Sequence, residues 1–245
     1  MTPQALNLTW ANEAMRKLEN EMRIASQTDA SVMLTGENGV GKQYAANMIH
    51  QLSRRRRAPF VAINAADVSK TTPHGSGDGP DTSMFLQAAE DGTLLIQDIE
   101  NIPAPAQSQL LGFMDRSIAT KKPVRLMTAT TTHLFKLVQA GEFRDDLFYR
   151  LNVIRFCIPP LRERREDIPL MFRHYVSQYA GTDAPRLSNA ARKRLMEYSW
   201  PGNITELTSV ARTVSSRMLP DLVDLEHLPC PVVECSQTVS GAQAS

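Results

Sequence analysis

The chain has 245 residues, 42% of them hydrophobic, and 27 Lys and Arg nearly cancel 26 Asp and Glu to leave a formal charge of +1. That balance argues against a generally basic nucleic-acid binder and against an acidic tail protein. With a mean hydropathy of −0.28, no apolar run approaching the ~20 residues that span a bilayer, and no charged-then-apolar signal pattern at the N-terminus, no membrane association is expected and the expected location is the cytoplasm.

In chain order, residues from about Asn12 to Ile24 place Ala14, Met15, Leu18 and Met22 on one face and predict a helix. The apolar run Val32-Met33-Leu34 predicts a buried strand. It leads into Gly36-Glu37-Asn38-Gly39-Val40-Gly41-Lys42-Gln43, and a helix begins near Lys42 and continues through Tyr44 to Leu52. Strand, glycine-rich turn and helix together form a phosphate cradle. Glycines let backbone N–H groups converge on a polyphosphate, the helix start adds partial positive charge, and Lys42 reaches the outer phosphate oxygens. An ordinary glycine-rich loop is the bland alternative, and the strand-before, helix-after context speaks against it. The general pattern ends in Ser or Thr, whose hydroxyl binds Mg²⁺, where this chain has Gln43.

Arg54 to Arg57 form the one basic cluster, read as a solvated helix end, with nucleic acid or an acidic neighbouring subunit as alternatives. A second strand follows at Pro59–Asn64. Between Asp67 and Asp81 the Ser, Thr, Pro, Gly and Asp content predicts a flexible loop, and His74 within it forms no metal pattern. Gly92–Asp98 and Val124–Thr130 read as the third and fourth strands, with a helix at Ala106–Arg116 between them. Strands alternating with helices predict a parallel sheet covered by helices on both faces. After Pro159-Pro160 the pattern is helices alone: Ile168–Tyr179, a capped helix from Ser188-Asn189 to Tyr198, the turn Trp200-Pro201-Gly202-Asn203, and a helix from Ile204 to about Met218. From Pro229 onward the composition predicts disorder. Trp10 and Trp200 read as packing residues, and Cys157, Cys230 and Cys235 as reduced and incidental.

Several of these stretches, in order, carry a family resemblance: Gly36 to Lys42, Pro59 to Ala66, Asp91 to Leu94, Gly141 to Ile154, Pro159 to Pro169 and Trp200 to Asn203. On them the chain resembles the central AAA+ domain of bacterial enhancer-binding proteins, the ATPases that activate sigma-54 RNA polymerase, over roughly residues 5 to 220. The resemblance implies a P-loop AAA+ fold of class α/β, a three-layer parallel sheet with a C-terminal helical lid. We expect the core over residues 1–170, the lid over 171–228 and a disordered tail over 229–245. It also implies ATP at Gly36, Glu37, Asn38, Gly39, Val40, Gly41, Lys42 and Gln43. The family usually has Glu after the P-loop lysine, and Gln43 is nearly isosteric with it.

Hydrolysis needs neutralised phosphates, a metal held by a carboxylate and a polarised water. The family supplies the last two from Asp-Glu at the end of the third strand, where this chain has Gln97-Asp98. Gln97 offers Mg²⁺ only an amide oxygen, and Asp98 is one methylene shorter than Glu. Asp98 is therefore the candidate both for metal binding and for catalysis. In one alternative it takes over the metal with Glu100 as base, which requires a one-residue shift of the strand end, because alternate strand residues share a face. Asn64 matches the family's switch asparagine and could contact Asp98; otherwise it is a turn residue. Arg144 and Arg150 match the arginine fingers that reach a neighbouring subunit's nucleotide; for Arg144 an internal pair with Asp145 or Asp146 is the alternative. Thr130-Thr131 stands where the family tends to have Thr-Asn, and Thr205 replaces an arginine that reports phosphate to the lid.

The family's Gly-Ala-Phe-Thr-Gly-Ala loop, which contacts sigma-54, has no counterpart between the second and third strands; Ser69–Ser83 stands in its place. No DNA-binding domain is expected in this chain. The leading expectation is an ATP-binding AAA+ regulator in a homo- or hetero-oligomeric ring, with hydrolysis and sigma-54 contact impaired. A second is a non-catalytic module that co-assembles with an active paralogue, and a third is a competent activator working through an unusual loop.

Overall fold

The computed structural model describes residues 10–68, 88–119, 123–181, 185–216, 222–229 and 232–233. The expected flexible loop, apart from its first residues, lies outside them, as does most of the tail. Among the described residues one compact unit takes in 17–36 and 41–158, and the other takes in those up to 16, 37–40 and those from 159 onward.

After the helix α1 (Glu13–Ala25) the first unit runs β1 (Val32–Thr35), α2 (Lys42–Leu52), β2 (Phe60–Asn64), α3 (Ala65–Val68) and β3 (Thr93–Gln97). It continues through α4 (Ala104–Ala119), β4 (Arg125–Thr130), α5 (Leu134–Gln139), α6 (Asp145–Leu151) and β5 (Ile154–Cys157). The five strands are parallel, in the order β2-β3-β4-β1-β5. The central strands β1 and β4 are buried along their whole length, and β3 is buried up to Gln97. Burial on both faces favours apolar runs such as Val32-Met33-Leu34 and Leu94-Leu95-Ile96, whereas β4 also buries Arg125, Thr128 and Thr130. Leu94, Ile96, Leu126, Leu147 and Leu151 meet in the core. β5 was not anticipated. At the sheet edge Ile154-Arg155-Phe156-Cys157 buries only Phe156 and exposes Arg155 and Cys157, a pattern too short and polar to stand out.

The second unit holds α7 (Ile168–Ala180), α8 (Asn189–Glu197) and α9 (Asn203–Ser216). Met171, Phe172 and Val176 of α7 are buried, as are Leu207, Val210, Ala211 and Val214 of α9, and these two helices form the main helix pair of the unit. Ser188 caps α8, its hydroxyl accepting from the Ala191 amide at 3.0 Å. Helices alone do not complete the unit: β6 (Arg186–Leu187) pairs in parallel with β7 (Leu222–Val223). Two-residue strands carry no periodicity, so only the structure reveals them. Trp200 is fully buried, with its indole N–H on the Leu195 carbonyl at 2.8 Å. No helix among the described residues is long and apolar enough to cross a membrane.

Candidate functional site

The parallel sheet brings four strand ends to one edge, where α/β proteins place ligands. Thr35 is in register with Thr130, and Asn64 with Gln97. The segment Gly36–Gln43 leaves β1 there. Gly39 and Gly41 have φ of +76° and +102°, in the left-handed region glycine tolerates. At Gly39 there is no alternative, because a Cβ would stand 2.5 Å from the Gly202 carbonyl oxygen.

The carbonyls of this loop are tied down one after another. Lys42 Nζ donates to the Gly36 carbonyl at 2.7 Å. Asn203 Nδ2 donates to the Asn38 carbonyl at 2.9 Å, the Ile204 amide to the Gly39 carbonyl at 2.9 Å, and Arg164 Nη2 to the Val40 carbonyl at 2.8 Å. In a planar trans peptide the N–H points opposite to its own carbonyl. Pinning the carbonyls of 36, 38, 39 and 40 therefore also fixes the amides of 37, 39, 40 and 41, each opposite to its pinned carbonyl. Backbone amides held in this way are the donors a phosphate-binding loop uses, so the residues present fit a nucleotide.

Three side chains not named as site residues from sequence, Arg162, Arg164 and Asn203, set the tip of this loop. Glu37 takes a fork of two bonds from Arg162, at 2.6 and 2.9 Å, and a third from Asn203 Nδ2 at 3.2 Å. The guanidinium, helped by Asn203, holds the Glu37 carboxyl down at about 2. Asn203 is fully buried, and its Oδ1 accepts the Leu161 amide at 2.8 Å. Arg164 is buried as well, its guanidinium 5.8 Å from the Trp10 ring centroid. Burial lowers its pKa to about 10, opposed by the nearby charge of Asp167, so it stays a cation at neutral pH. Arg162, Arg164 and Asn203 lie within the Pro159–Pro169 and Trp200–Asn203 stretches, but nothing local in sequence marks their contacts.

At the end of β3 the strand stops at Gln97. Asp98 adopts a left-handed backbone with φ of 51°, and residues 99–101 form a 3-10 turn. Face alternation therefore ends before Asp98 and cannot rank it against Glu100. Asn64 Nδ2 donates to Asp98 Oδ2 at 2.6 Å. Glu100 Oε1 accepts both the amide and the hydroxyl of Thr131, at 2.9 and 2.6 Å. Burial works to raise the Glu100 pKa, but these bonds from Thr131 prevail and lower it. Burial lowers the Lys42 pKa, opposed by the charges of Asp98 and Glu100. Both acids thus face the lysine electrostatically. Among the described residues no group of three or more His, Cys, Asp and Glu side chains is placed to hold a metal ion.

Arg144 and Arg150 each engage an acid of their own chain. Arg144 forms a fork with Asp146 at 3.0 and 2.8 Å and reaches Ser108 Oγ at 3.0 Å, and Arg150 pairs with Asp115. Thr205 is exposed on α9, its hydroxyl beside Gly39.

Comparison with known proteins finds two family models on the chain: the Sigma-54 interaction domain at residues 8–157 and the AAA+ ATPase lid domain at residues 162–244. A DNA-binding transcriptional regulator NtrC of Bradyrhizobium sp. is 34% identical over 239 residues, covering 89% of this chain and 50% of that protein. The transcriptional regulatory protein GlrR of Escherichia coli (strain K12) is 38% identical over 217 residues, covering 80% of this chain and 49% of that one. The chain thus spans about half the length of these curated relatives. Among solved structures, NtrX from Brucella abortus in complex with ATP superposes with a TM-score of 0.77 at 27% identity, covering 92% of this chain and 57% of that one.

Proposed function

Since the chain belongs to the sigma-54 interaction family and carries an AAA+ core and lid, we propose that it is an ATP-binding regulatory domain in which hydrolysis and sigma-54 contact are impaired. The observation that carries this reading is the loop whose carbonyls are pinned at Gly36, Asn38, Gly39 and Val40, which fixes the amides that follow them as donors for phosphates. That NtrX has been captured with ATP supports the same ligand here. In our reading Gly36 to Gln43 hold the nucleotide and Asp98 is the only acid of the Gln97-Asp98 pair available to a metal. Bound Mg²⁺ would draw charge from the transferring phosphoryl group. Asn64 holds Asp98 on the sheet edge, and a carboxylate one methylene short of Glu reaches less far toward a water. Thr205 cannot neutralise phosphate charge, so lid and nucleotide state are weakly coupled. A single well-placed electrostatic group contributes ~10²–10³-fold to turnover.

Two measurements test this. ATP affinity with and without Mg²⁺ should differ little, and phosphate release should be slow. Turnover like that of ordinary AAA+ activators refutes the impairment, and no ATP binding refutes the site.

A second reading, favoured by the half-exposed side chains of Arg144 and Arg150, is a module that enters oligomers of an active paralogue and lends these guanidiniums to its nucleotide, in the cytoplasm where such activators work. Co-purification with that paralogue and an altered ATPase of the mixture support it. If Arg144→Ala leaves the mixture unchanged, this reading fails.

A further inference from the structure

The second unit contains a cavity of about 550 Å³ whose wall includes Arg173, Arg186, Arg192, Leu170, Leu187 and Met196. The three arginines come from three different elements, α7, β6 and α8, so their convergence is a product of folding and not of a charge run in the sequence. Arg173 Nε donates to the Pro185 carbonyl at 3.1 Å, which sets the orientation of its guanidinium. Among the described residues none of the three is paired with a carboxylate. The one acid in the wall, Glu166, already accepts from Asn12 Nδ2 at 3.2 Å. Its own backbone amide, then Asn12, lower its pKa, so it remains ionised. Against three cations it leaves a local excess of positive charge in a chain that is otherwise nearly neutral.

Like charges gathered on one concave surface repel, and a cleft concentrates their field toward an incoming anion. Guanidiniums suit this role because their planar forks match the oxygens of phosphate and carboxylate. Leu170, Leu187 and Met196 add an apolar wall, and Leu170 remains 44% exposed. The volume lies in the range of small-molecule sites. None of the phosphate-loop residues lines this cavity.

We propose that this cavity is a second anion site, distinct from the phosphate loop, for a small phosphate monoester with an apolar body. Its headgroup contacts Arg173, Arg186 and Arg192, and its apolar part lies on Leu170 and Met196.

Calorimetric titration of the full chain with phenyl phosphate and with inorganic phosphate tests this. Phenyl phosphate should bind in the sub-millimolar range and at least about ten-fold tighter than inorganic phosphate, because only the ester gains from the apolar wall. The Arg186→Ala/Arg192→Ala variant should weaken it at least about ten-fold. Both side chains are exposed, so circular dichroism should find the variant folded and its ATP affinity unchanged. Lys42→Ala should leave phenyl phosphate binding intact. No binding at millimolar ligand, or binding lost with Lys42→Ala yet kept in the double variant, overturns the site. Equal affinity for the two phosphates overturns the apolar part.

Discussion

Replacing Asn203 by Ala should destabilise the second unit more than any surface change, and the structure gives the parts. Asn203 is fully buried with φ of 50° and makes three side-chain bonds, to the Leu161 amide, the Asn38 carbonyl and Glu37. Alanine leaves the Leu161 amide without its partner inside the protein, at a cost of about 1–3 kcal/mol. It also places a Cβ-bearing residue that lacks a local polar side chain in the left-handed region, which adds about 1 kcal/mol. The sum is about 2–4 kcal/mol. At roughly 2–4 °C per kcal/mol for a chain of this size, the midpoint falls by about 4–16 °C. Both tryptophans, Trp10 and Trp200, lie in the same unit as Asn203, so urea titration followed by indole fluorescence reads the unit that is perturbed. Asn203→Gly separates the two terms: it loses the same bonds but tolerates the backbone, and should fall about 1 kcal/mol short of the alanine variant. A loss under about 0.5 kcal/mol for Asn203→Ala refutes the assignment of these bonds as structural.

Glu37→Gln should lower stability at pH 7 by less than about 1 kcal/mol, because the Arg162 pair is exposed. The Glu37 pKa is depressed, from 4.5 to about 2, so its contribution is present above pH 4.5 and is lost as pH falls through about 2. The gap between wild type and variant should therefore narrow from pH 7 toward pH 3 in parallel urea titrations; a gap that widens contradicts the pairing. Arg144→Ala and Arg150→Ala break exposed ion pairs and should each shift the thermal midpoint by no more than about 2 °C; a larger fall by scanning calorimetry would give them a structural role. Gly39→Ala should weaken ATP binding at least about ten-fold in a filter-binding assay, since a Cβ there meets the Gly202 carbonyl at 2.5 Å; unchanged affinity would mean the loop yields freely.

The parts legible in sequence are those where one local rule decides. β1 and β3 are buried on both faces and read as apolar runs, and the phosphate loop declares itself through glycine spacing between a strand and a helix. β5 was missed because its four residues bury only Phe156 and expose Arg155 and Cys157, and β6 and β7 because two residues show no period. At the site, the approach of Asn64 to Asp98 follows from neighbouring strands in register. The ties from Arg162 to Glu37 and from Asn203 to Asn38 span 125 and 165 residues. No local pattern encodes a contact at that separation. The strand-face comparison of Asp98 with Glu100 failed for a different reason: a 3-10 turn begins where alternation was assumed to continue.

That turn has an evolutionary consequence. Asp98 sits at φ of 51°, a conformation that short polar side chains such as Asp and Asn accept and longer ones resist, by about 1–2 kcal/mol. A mutation that merely lengthens the acid to Glu therefore meets a backbone already adapted to Asp, and the gain in reach is set against strain. Placing an Asp-Glu pair here is then an epistatic change, in which the turn must be rebuilt along with Gln97 and Asp98. Loss of the longer acid at this position would in this way act as a ratchet, easier to enter than to reverse. Asp98→Glu on its own should unfold at lower urea than Asp98→Asn, and the reverse order would remove the ratchet.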